Sequence, residues 1–508
     1  MASAICNHGD QHLQGNPSFR SQKRFITIQE IDNSRRGRER IVILGSGWAG
    51  YTLARDLDQR KFQVVVVSPR SYFVFTPLLA STSVGTLEFR TALEPVRSRR
   101  LRAEFFQGWG DGVDFENKRL TIEEAVEDPL QGRGLAGDRE DASKEHVEVK
   151  ARNVQKGKLF DMDYDKLVVA VGCYSQTFNT KGVRENAFFL KDVGDARRIR
   201  QRLLSCFETA ALPTTSMTMK KQLLNFAVIG GGPTGIEWSA ELHDLIQEDM
   251  RRLYPTLTPL AKITVYDVAP SILSMFDKKL SNFALDHFKR GGINVKTRHH
   301  VEELRTGVPK AILEADDSIQ DSETCYTLKI REEGEIGVGM VVWSTGLMVN
   351  PFLAKALKCK VERHEKSGGI ITDTHLRAKL PTGSTSTSSS VVKDVYALGD
   401  CAILEGTAYP ATAQVASQKA LWLAKHLNRG DLEKEQTPGF TYKDMGVMAY
   451  IGNWNAIMQS QGGDISGRVA WFIWRGAYLA KSVSWRNRLL IPTYWFVNWL
   501  FGRDVSRF

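Results

Sequence analysis

The sequence predicts an α/β protein built from two parallel-sheet nucleotide-binding units, and three observations lead there. At residues 41–50 an apolar run, Ile-Val-Ile-Leu, breaks into Gly-Ser-Gly-Trp-Ala-Gly and resumes as a helical pattern. The arrangement returns at 226–237 as Phe-Ala-Val-Ile-Gly-Gly-Gly-Pro-Thr-Gly-Ile-Glu. Each copy is followed by a helical stretch and a second apolar strand, at 62–67 and 262–266. Strand, glycine turn, helix and strand in that order make a Rossmann-type unit, so two dinucleotides are implied.

In the first turn Gly45 supplies the unusual backbone angles, Gly47 admits a pyrophosphate, and Gly50 lets the helix pack on the strand. Trp48 opens the helix, whose N-terminus faces the phosphates. Gly230, Gly232 and Gly235 repeat the spacing. The second unit's next strand ends at Asp267, a carboxylate suited to a ribose and repulsive to the 2′-phosphate of NADPH. The first unit's ends at Ser68, followed by Pro69 and Arg70, so the usual ribose acid is missing. The residues alone therefore assign nicotinamide, as NADH, to the second turn.

A chain of 508 residues, 42% hydrophobic and 25% charged, has an ordinary globular composition and room for two or three domains. Its formal charge of +10 is spread without a long basic block, which gives no support to nucleic acid and leaves an anionic lipid surface as a partner. Cys6, Cys173, Cys206, Cys325, Cys359 and Cys401 form neither a CxxC nor a zinc spacing, so no metal is expected. The missing close dithiol argues against a flavin-disulfide reductase and for a reducing compartment. No run of 18 apolar residues indicates a membrane-spanning helix. Residues 1–40 carry seven Lys/Arg against four Asp/Glu and no apolar core, which excludes a secretory signal and leaves a mitochondrial targeting segment or a flexible tail.

Residues 41–180 form the first unit, closing with a strand at 166–171 and a turn at Gly172. Within it, Phe75-Thr76-Pro77-Leu78-Leu79 is a rigid loop, and 121–158 reads as a charged surface insertion. Residues 181–345 form the second unit, followed by Gly346. A Ser/Thr-rich linker at 381–390 precedes a strand that stops at Gly399-Asp400, and 346–435 is expected to belong with the first unit. In the helical pattern 412–427, Gln414 and Gln418 share one face, where they hold a polar ligand head or bind a neighbouring loop. No function is derived for a further insertion at 206–222.

The region 436–508 ends in aromatic residues interleaved with arginines. Trp471, Trp474 and Tyr478 follow i, i+3, i+7, and Trp495, Phe496, Trp499 and Leu500 form a stripe after Pro492; Trp485 stands between them. Two amphipathic helices lying in a membrane surface are expected, with a dimer or domain interface as the alternative use.

Taken together, GSGWAG (45–50), SPRSYFVFTPLL (68–79), GGGPTGIE (230–237), LGDCA (398–402) and TAQVASQ (412–418) resemble the type II, or alternative, NADH:quinone oxidoreductases of the fungal and plant mitochondrial kind. The resemblance runs from residue 41 to the C-terminus. It implies a two-dinucleotide-binding flavoprotein fold with non-covalent FAD in the first unit, NADH in the second, and ubiquinone as acceptor. Ser68 and Arg70 then belong to a variant that binds FAD without the acid, Thr76, Pro77 and Leu78 line the flavin, and Asp400 holds its ribityl or pyrophosphate part. Gly172 and Gly346 stand where the family has Ala-Thr-Gly. Gln414 and Gln418 lie where flavin and quinone meet, and Arg475, with Trp474 and Trp485, lies near the quinone and membrane. Glu237 matches an acid near nicotinamide and quinone; the alternative is a carboxylate stabilised at a helix N-terminus. The resemblance further implies peripheral attachment to the mitochondrial inner membrane and a homodimer; without a spanning helix no proton pumping is expected, and without an EF-hand loop in the second unit no calcium control. Two rivals share the fold. One is a sulfide:quinone oxidoreductase, which needs cysteines at the flavin, where Cys173 is the one candidate; the other is an apoptosis-inducing-factor-like flavoprotein with a signalling role.

Overall fold

The computed structural model describes residues 27–98, 101–126, 157–315, 319, 324–357, 360–381 and 390–506. Residues 1–26 of the targeting or flexible segment expected over 1–40, most of the 121–158 insertion and most of the 381–390 linker lie outside the described residues.

Ile28–Asn33 forms a short helix (α1) closed by a capping box: Thr27 Oγ1 accepts from Glu30 N–H (3.2 Å), and Glu30 accepts from Thr27 N–H (3.0 Å). The expectation of a flexible tail through residue 40 is thereby corrected. The first strand, Glu39–Leu44 (β1), carries Arg40 fully buried, donating to Asp32 (2.5 Å), Gln63 (2.7 Å) and the Asp163 carbonyl (3.1 Å). A guanidinium withdrawn from water needs its donors met, and α1 provides one acceptor.

The chain continues as Trp48–Asp56 (α2) and Phe62–Ser68 (β2), and Lys166–Val169 (β3) lies on the other side of β1; β1 pairs in parallel with both. β2 is buried throughout and β1 from Arg40 onward, as expected of interior parallel strands. Beyond β2 the sheet is extended by Glu104–Asp114, Arg119–Glu124 and Leu159–Asp163. Part of the expected surface insertion is therefore sheet, because Leu120 and Ile122 alternate with polar neighbours and bury completely.

The second unit comprises Val193–Ala211 (α3), Asn225–Ile229 (β4), Pro233–Leu245 (α4), Lys262–Asp267 (β5) and Met340–Trp343 (β6). Its five-stranded sheet is all parallel, in the order Phe188–Phe189, β6, β4, β5, Asn294–Thr297, and a three-stranded antiparallel sheet spans Val301–Thr306, Tyr326–Ile330 and Gly334–Val338. The supposed insertion at 206–222 is part of the second unit: Cys206, Phe207 and Ala210 of α3 and Met219 belong to its core, while 211–214 is exposed.

An antiparallel pair, Cys173–Ser175 with Leu347–Val349, joins the two units. Val391–Ala397 (β7) then pairs in parallel with β3, and Ala413–Arg429 (α5) packs on α2. A three-stranded antiparallel sheet, Val447–Gly467 in extent, leads to two helices, Arg468–Lys481 (α6) and Trp485–Phe501 (α7). Pro492 lies inside α7 instead of preceding it. Among the described residues no helix is long and apolar enough to cross a membrane.

Candidate functional site

Both glycine turns are packed at their outer glycines and open in the middle. A Cβ on Gly45 (φ +110°) would lie 2.3 Å from the Ala170 carbonyl oxygen, and one on Gly50 2.0 Å from that of Gly45. Gly230 (φ +112°) and Gly235 repeat this, the latter 2.0 Å from the Gly230 oxygen. A Cβ on Gly47 or Gly232 would meet nothing within 4 Å. Each is the N-cap of its helix, α2 or α4, without a side-chain cap bond. First-turn N–H groups thus open onto space beside a positive helix end, which fits a pyrophosphate at each turn.

Around the first turn Ser46 Oγ bonds Ser68 Oγ (2.9 Å) and donates to the Tyr72 carbonyl (3.0 Å), tying β2's end to the turn without a carboxylate. Trp48 Nε1 donates to Thr76 Oγ1 (3.1 Å), and its ring lies on Phe73 and Phe75, which fixes the Thr76–Leu78 loop over the turn. Arg70 forms an ion pair with buried Asp192 (2.6 Å), which also accepts from Tyr72 OH (3.0 Å). Asp400, just past β7, accepts from Cys173 Sγ (3.1 Å), which in turn lies 3.1 Å from Lys191 Nζ. Gly172 (φ +69°) is open on its Cβ side, whereas a Cβ on Gly346 (φ +76°) would strike the Phe178 ring at 2.7 Å. Gly346 therefore serves the join between the units.

At the second turn Asp267 accepts from Gly231 N–H with Oδ2 and from Ala269 N–H (2.7 Å) with Oδ1. The carboxylate stands at the end of β5 beside Gly231, in reach of a ribose on that turn.

Glu237, one turn into α4, is 8% exposed. Its Oε1 accepts from Tyr450 N–H (3.1 Å) and Trp474 Nε1 (3.2 Å). Burial pushes its pKa up to about 8, opposed by those hydrogen bonds. Its partners come from the C-terminal region, so the carboxylate is not held by the helix N-terminus. Gln414 donates to the Gly446 carbonyl (2.8 Å) and accepts from Tyr442 OH (3.2 Å). Gln418 donates to the Lys443 carbonyl (2.8 Å) and accepts from Lys443 N–H (2.9 Å). Both amides are thus bound to the 442–446 loop, the second of the two uses anticipated for them. Arg475 lies between the Trp471 and Trp495 rings, 4.1 and 4.2 Å from their centroids, and burial lowers its pKa to about 10.

Against known proteins, residues 39–420 match the family described as "Pyridine nucleotide-disulphide oxidoreductase", and 445–504 match the "NDH2 C-terminal domain". A "Probable NADH dehydrogenase" of Dictyostelium discoideum is 37% identical, over 96% of this chain and 94% of its own. The chain belongs to the type II NADH dehydrogenase family. A Solanum tuberosum internal alternative NAD(P)H-ubiquinone oxidoreductase, described as mitochondrial, is 33% identical over 98% of this chain and 93% of its own. The Plasmodium falciparum NDH2 structure in complex with NADH shares the fold, with a TM-score of 0.75 at 23% identity over 92% of this chain and all of that one.

The tail departs from the sequence reading. Trp471 and Trp474, placed on a membrane-facing stripe, are each 4% exposed and pack in the core of the second unit. The Trp474 indole packs on Tyr450 and donates to Glu237, and that of Trp471 packs on Trp454, so this face of α6 serves a domain interface, the alternative use expected for it. The exposed large apolar side chains of α6 and α7 are Val469, Phe472, Trp485, Leu489, Phe496, Val497, Trp499, Leu500 and Phe501.

Sequence reasoning missed Tyr450, Lys191 and Lys419. Lys419 is 2% exposed and lines the cleft beside Asp400 and Cys173, where burial lowers its pKa. None belongs to a spacing pattern; only tertiary proximity marks them. Among the described residues no two cysteines are bonded: Cys173, Cys206, Cys325 and Cys401 are free, the last three are buried, and burial pushes the Cys173 thiol up to about 12.

Proposed function

We propose that this chain is an FAD-dependent NADH:ubiquinone oxidoreductase that does not pump protons and works at the surface of the mitochondrial inner membrane. The observation that carries the reading is the buried Glu237, shared between the helix of the second glycine turn and the C-terminal helix α6.

FAD, held non-covalently over Gly45–Gly50, would supply hydride acceptance and two-electron return. Ser68, Thr76, Pro77, Leu78, Gly172 and Asp400 border its place. The N–H groups after Gly232 and the Asp267 carboxylate bind and orient NADH, so that proximity and alignment lower the barrier to hydride transfer. Gln414 and Gln418 exchange their loop bonds for the quinone head, and Glu237 donates a proton to a quinone oxygen. Arg475, with its charge spread over two indoles, borders the entry of the quinone. The exposed apolar residues of α6 and α7 insert into the headgroup region, with Trp485 at the interface. The same C-terminal region pairs two copies into a homodimer.

Purified FAD-loaded protein in liposomes, given NADH or NADPH with and without a short-chain quinone, tests this. Quinone-dependent NADH oxidation without a proton gradient is expected. Flavin binding with negligible quinone turnover would overturn the proposal in favour of the signalling flavoprotein.

A further inference from the structure

Helix α5 carries a buried cation that has no hydrogen-bond partner among the described residues. Lys419 is 2% exposed and lies about two turns past the N-cap Thr412, on the face it shares with Val415 and Ala416. Gln414 and Gln418 turn to the 442–446 loop instead, so the helix serves two sides. The Lys419 ammonium forms no hydrogen bond and no ion pair among the described residues. Asp400 and the Cys401 thiol act on it only through space, and burial outweighs them, lowering its pKa. An ammonium withdrawn from water is costly unless an acceptor meets it.

Lys419 lines a cleft of about 170 Å³, in which Asp400 is the one other charged side chain among the described residues. Asp400 already accepts from Cys173 Sγ (3.1 Å), and Lys191, the neighbouring ammonium, already meets that sulfur (3.1 Å). Lys419 is therefore the charge left over.

The cleft adjoins the first glycine turn. Gly399, just before Asp400, is wedged between two helices: a Cβ there would lie 3.4 Å from the Ala49 Cβ of α2 and 3.9 Å from the Ala416 Cβ of α5. Ala49 is the second residue of α2, whose N-cap Gly47 is open to a pyrophosphate. A dinucleotide seated on that turn therefore has Asp400 and then Lys419 within its course.

We propose that Lys419 donates to the pyrimidine edge of the flavin and holds the negative charge that the ring gains with the hydride. The inference rests on the reading of this cleft as the flavin's place. A hydride carries two electrons and one proton: the nicotinamide C–H bond breaks, an N–H bond forms on the ring, NAD⁺ results, and the ring gains one negative charge. That charge falls on pyrimidine nitrogen and oxygen atoms, which are acceptors for an ammonium. The first turn of α5 acts in the same sense, since a helix N-terminus favours negative charge. A fixed charge placed where charge develops, away from water, stabilises it without reorganisation. Lys419 thereby raises the potential of the flavin and favours its reduction by NADH.

The test uses the full, FAD-loaded chain with Lys419→Met, which keeps the length of the side chain without its charge, and Lys419→Arg, which restores the charge. Three readouts are compared: flavin bound per chain, the midpoint potential of the flavin titrated against a reference dye, and the thermal midpoint of the flavin-free chain. In Lys419→Met the preference for the reduced ring should drop tenfold or more, a fall of about 30 mV for a two-electron couple. The flavin-free chain should melt no lower than the wild type, because a buried ammonium has been removed. Lys419→Arg should recover part of the potential. If Lys419→Met sheds its flavin, Lys419→Gln, which keeps a donor without the charge, carries the same measurement and should show the same fall. An unchanged potential with flavin bound overturns the inference and leaves the flavin site standing. Equal falls in the Met and Arg variants mark packing instead of charge and overturn it too. A wild-type chain that takes up no FAD overturns the reading beneath it.

Discussion

Replacing Glu237 with Gln should make the protein more stable at alkaline pH. The carboxyl ordinarily ionises near 4.5, and burial in the fold pushes this up to about 8. The folded protein therefore binds this proton when the unfolded chain has released it. Stability from the group is fully present below pH 4.5 and is lost as pH rises through 8. At 1.36 kcal/mol per pH unit, the loss across that window is about 5 kcal/mol. Gln keeps an oxygen to accept from Tyr450 N–H and Trp474 Nε1 but carries no charge to desolvate. The variant should match the wild type in acid and gain on it steadily from pH 5 to 8. Urea unfolding of both proteins at half-unit pH steps reads this directly, since other titrating groups largely cancel in the difference. Parallel stability curves would refute the argument that Glu237 is neutral in the fold at physiological pH.

Further outcomes follow from the same geometry. Gly47→Ala and Gly232→Ala should leave the thermal midpoint of the flavin-free protein nearly unchanged while lowering flavin content and NADH affinity respectively. Gly50→Ala, whose Cβ would lie 2.0 Å from a carbonyl oxygen, should instead destabilise the fold, as differential scanning calorimetry would show. Asp267→Ala should raise the NADH dissociation constant by roughly 10- to 100-fold, the worth of lost charge-assisted hydrogen bonds, and narrow the preference over NADPH; unchanged titrations with both nucleotides would contradict that role. Trp474→Phe removes one hydrogen bond that lowers the Glu237 pKa, so the alkaline limb of the quinone-rate profile should move upward. Phe496→Ser with Trp499→Ser should release the protein from vesicles at constant stability, because both side chains are mostly exposed; retained binding in a flotation assay would place the membrane contact elsewhere.

The two glycine turns were legible because their requirement is local. A left-handed residue at Gly45 or Gly230 and a missing Cβ at Gly50 or Gly235 are dictated by neighbours a few residues away or on the adjoining strand. Asp267 was legible for the same reason, being the end of a short apolar strand. The tail was legible in composition and not in orientation. An i, i+3, i+7 aromatic stripe says that one face of α6 is buried but not in what, and the partner of Trp474 proved to be a carboxylate 237 residues earlier in the chain.

The sequence by itself determined the two-turn α/β architecture, the return of the chain to its first unit and the resemblance that led to its family. Hydrophobic periodicity and glycine spacing act over one element, and they survive without knowledge of what packs where. Only the tertiary structure decided that Glu237 is buried and bonded to Trp474, that Gln414 and Gln418 rest on a loop, and that Glu241, Asp244 and Glu248 line a cavity. Each depends on desolvation and hydrogen bonding between distant segments, and those quantities exist only once the chain has folded.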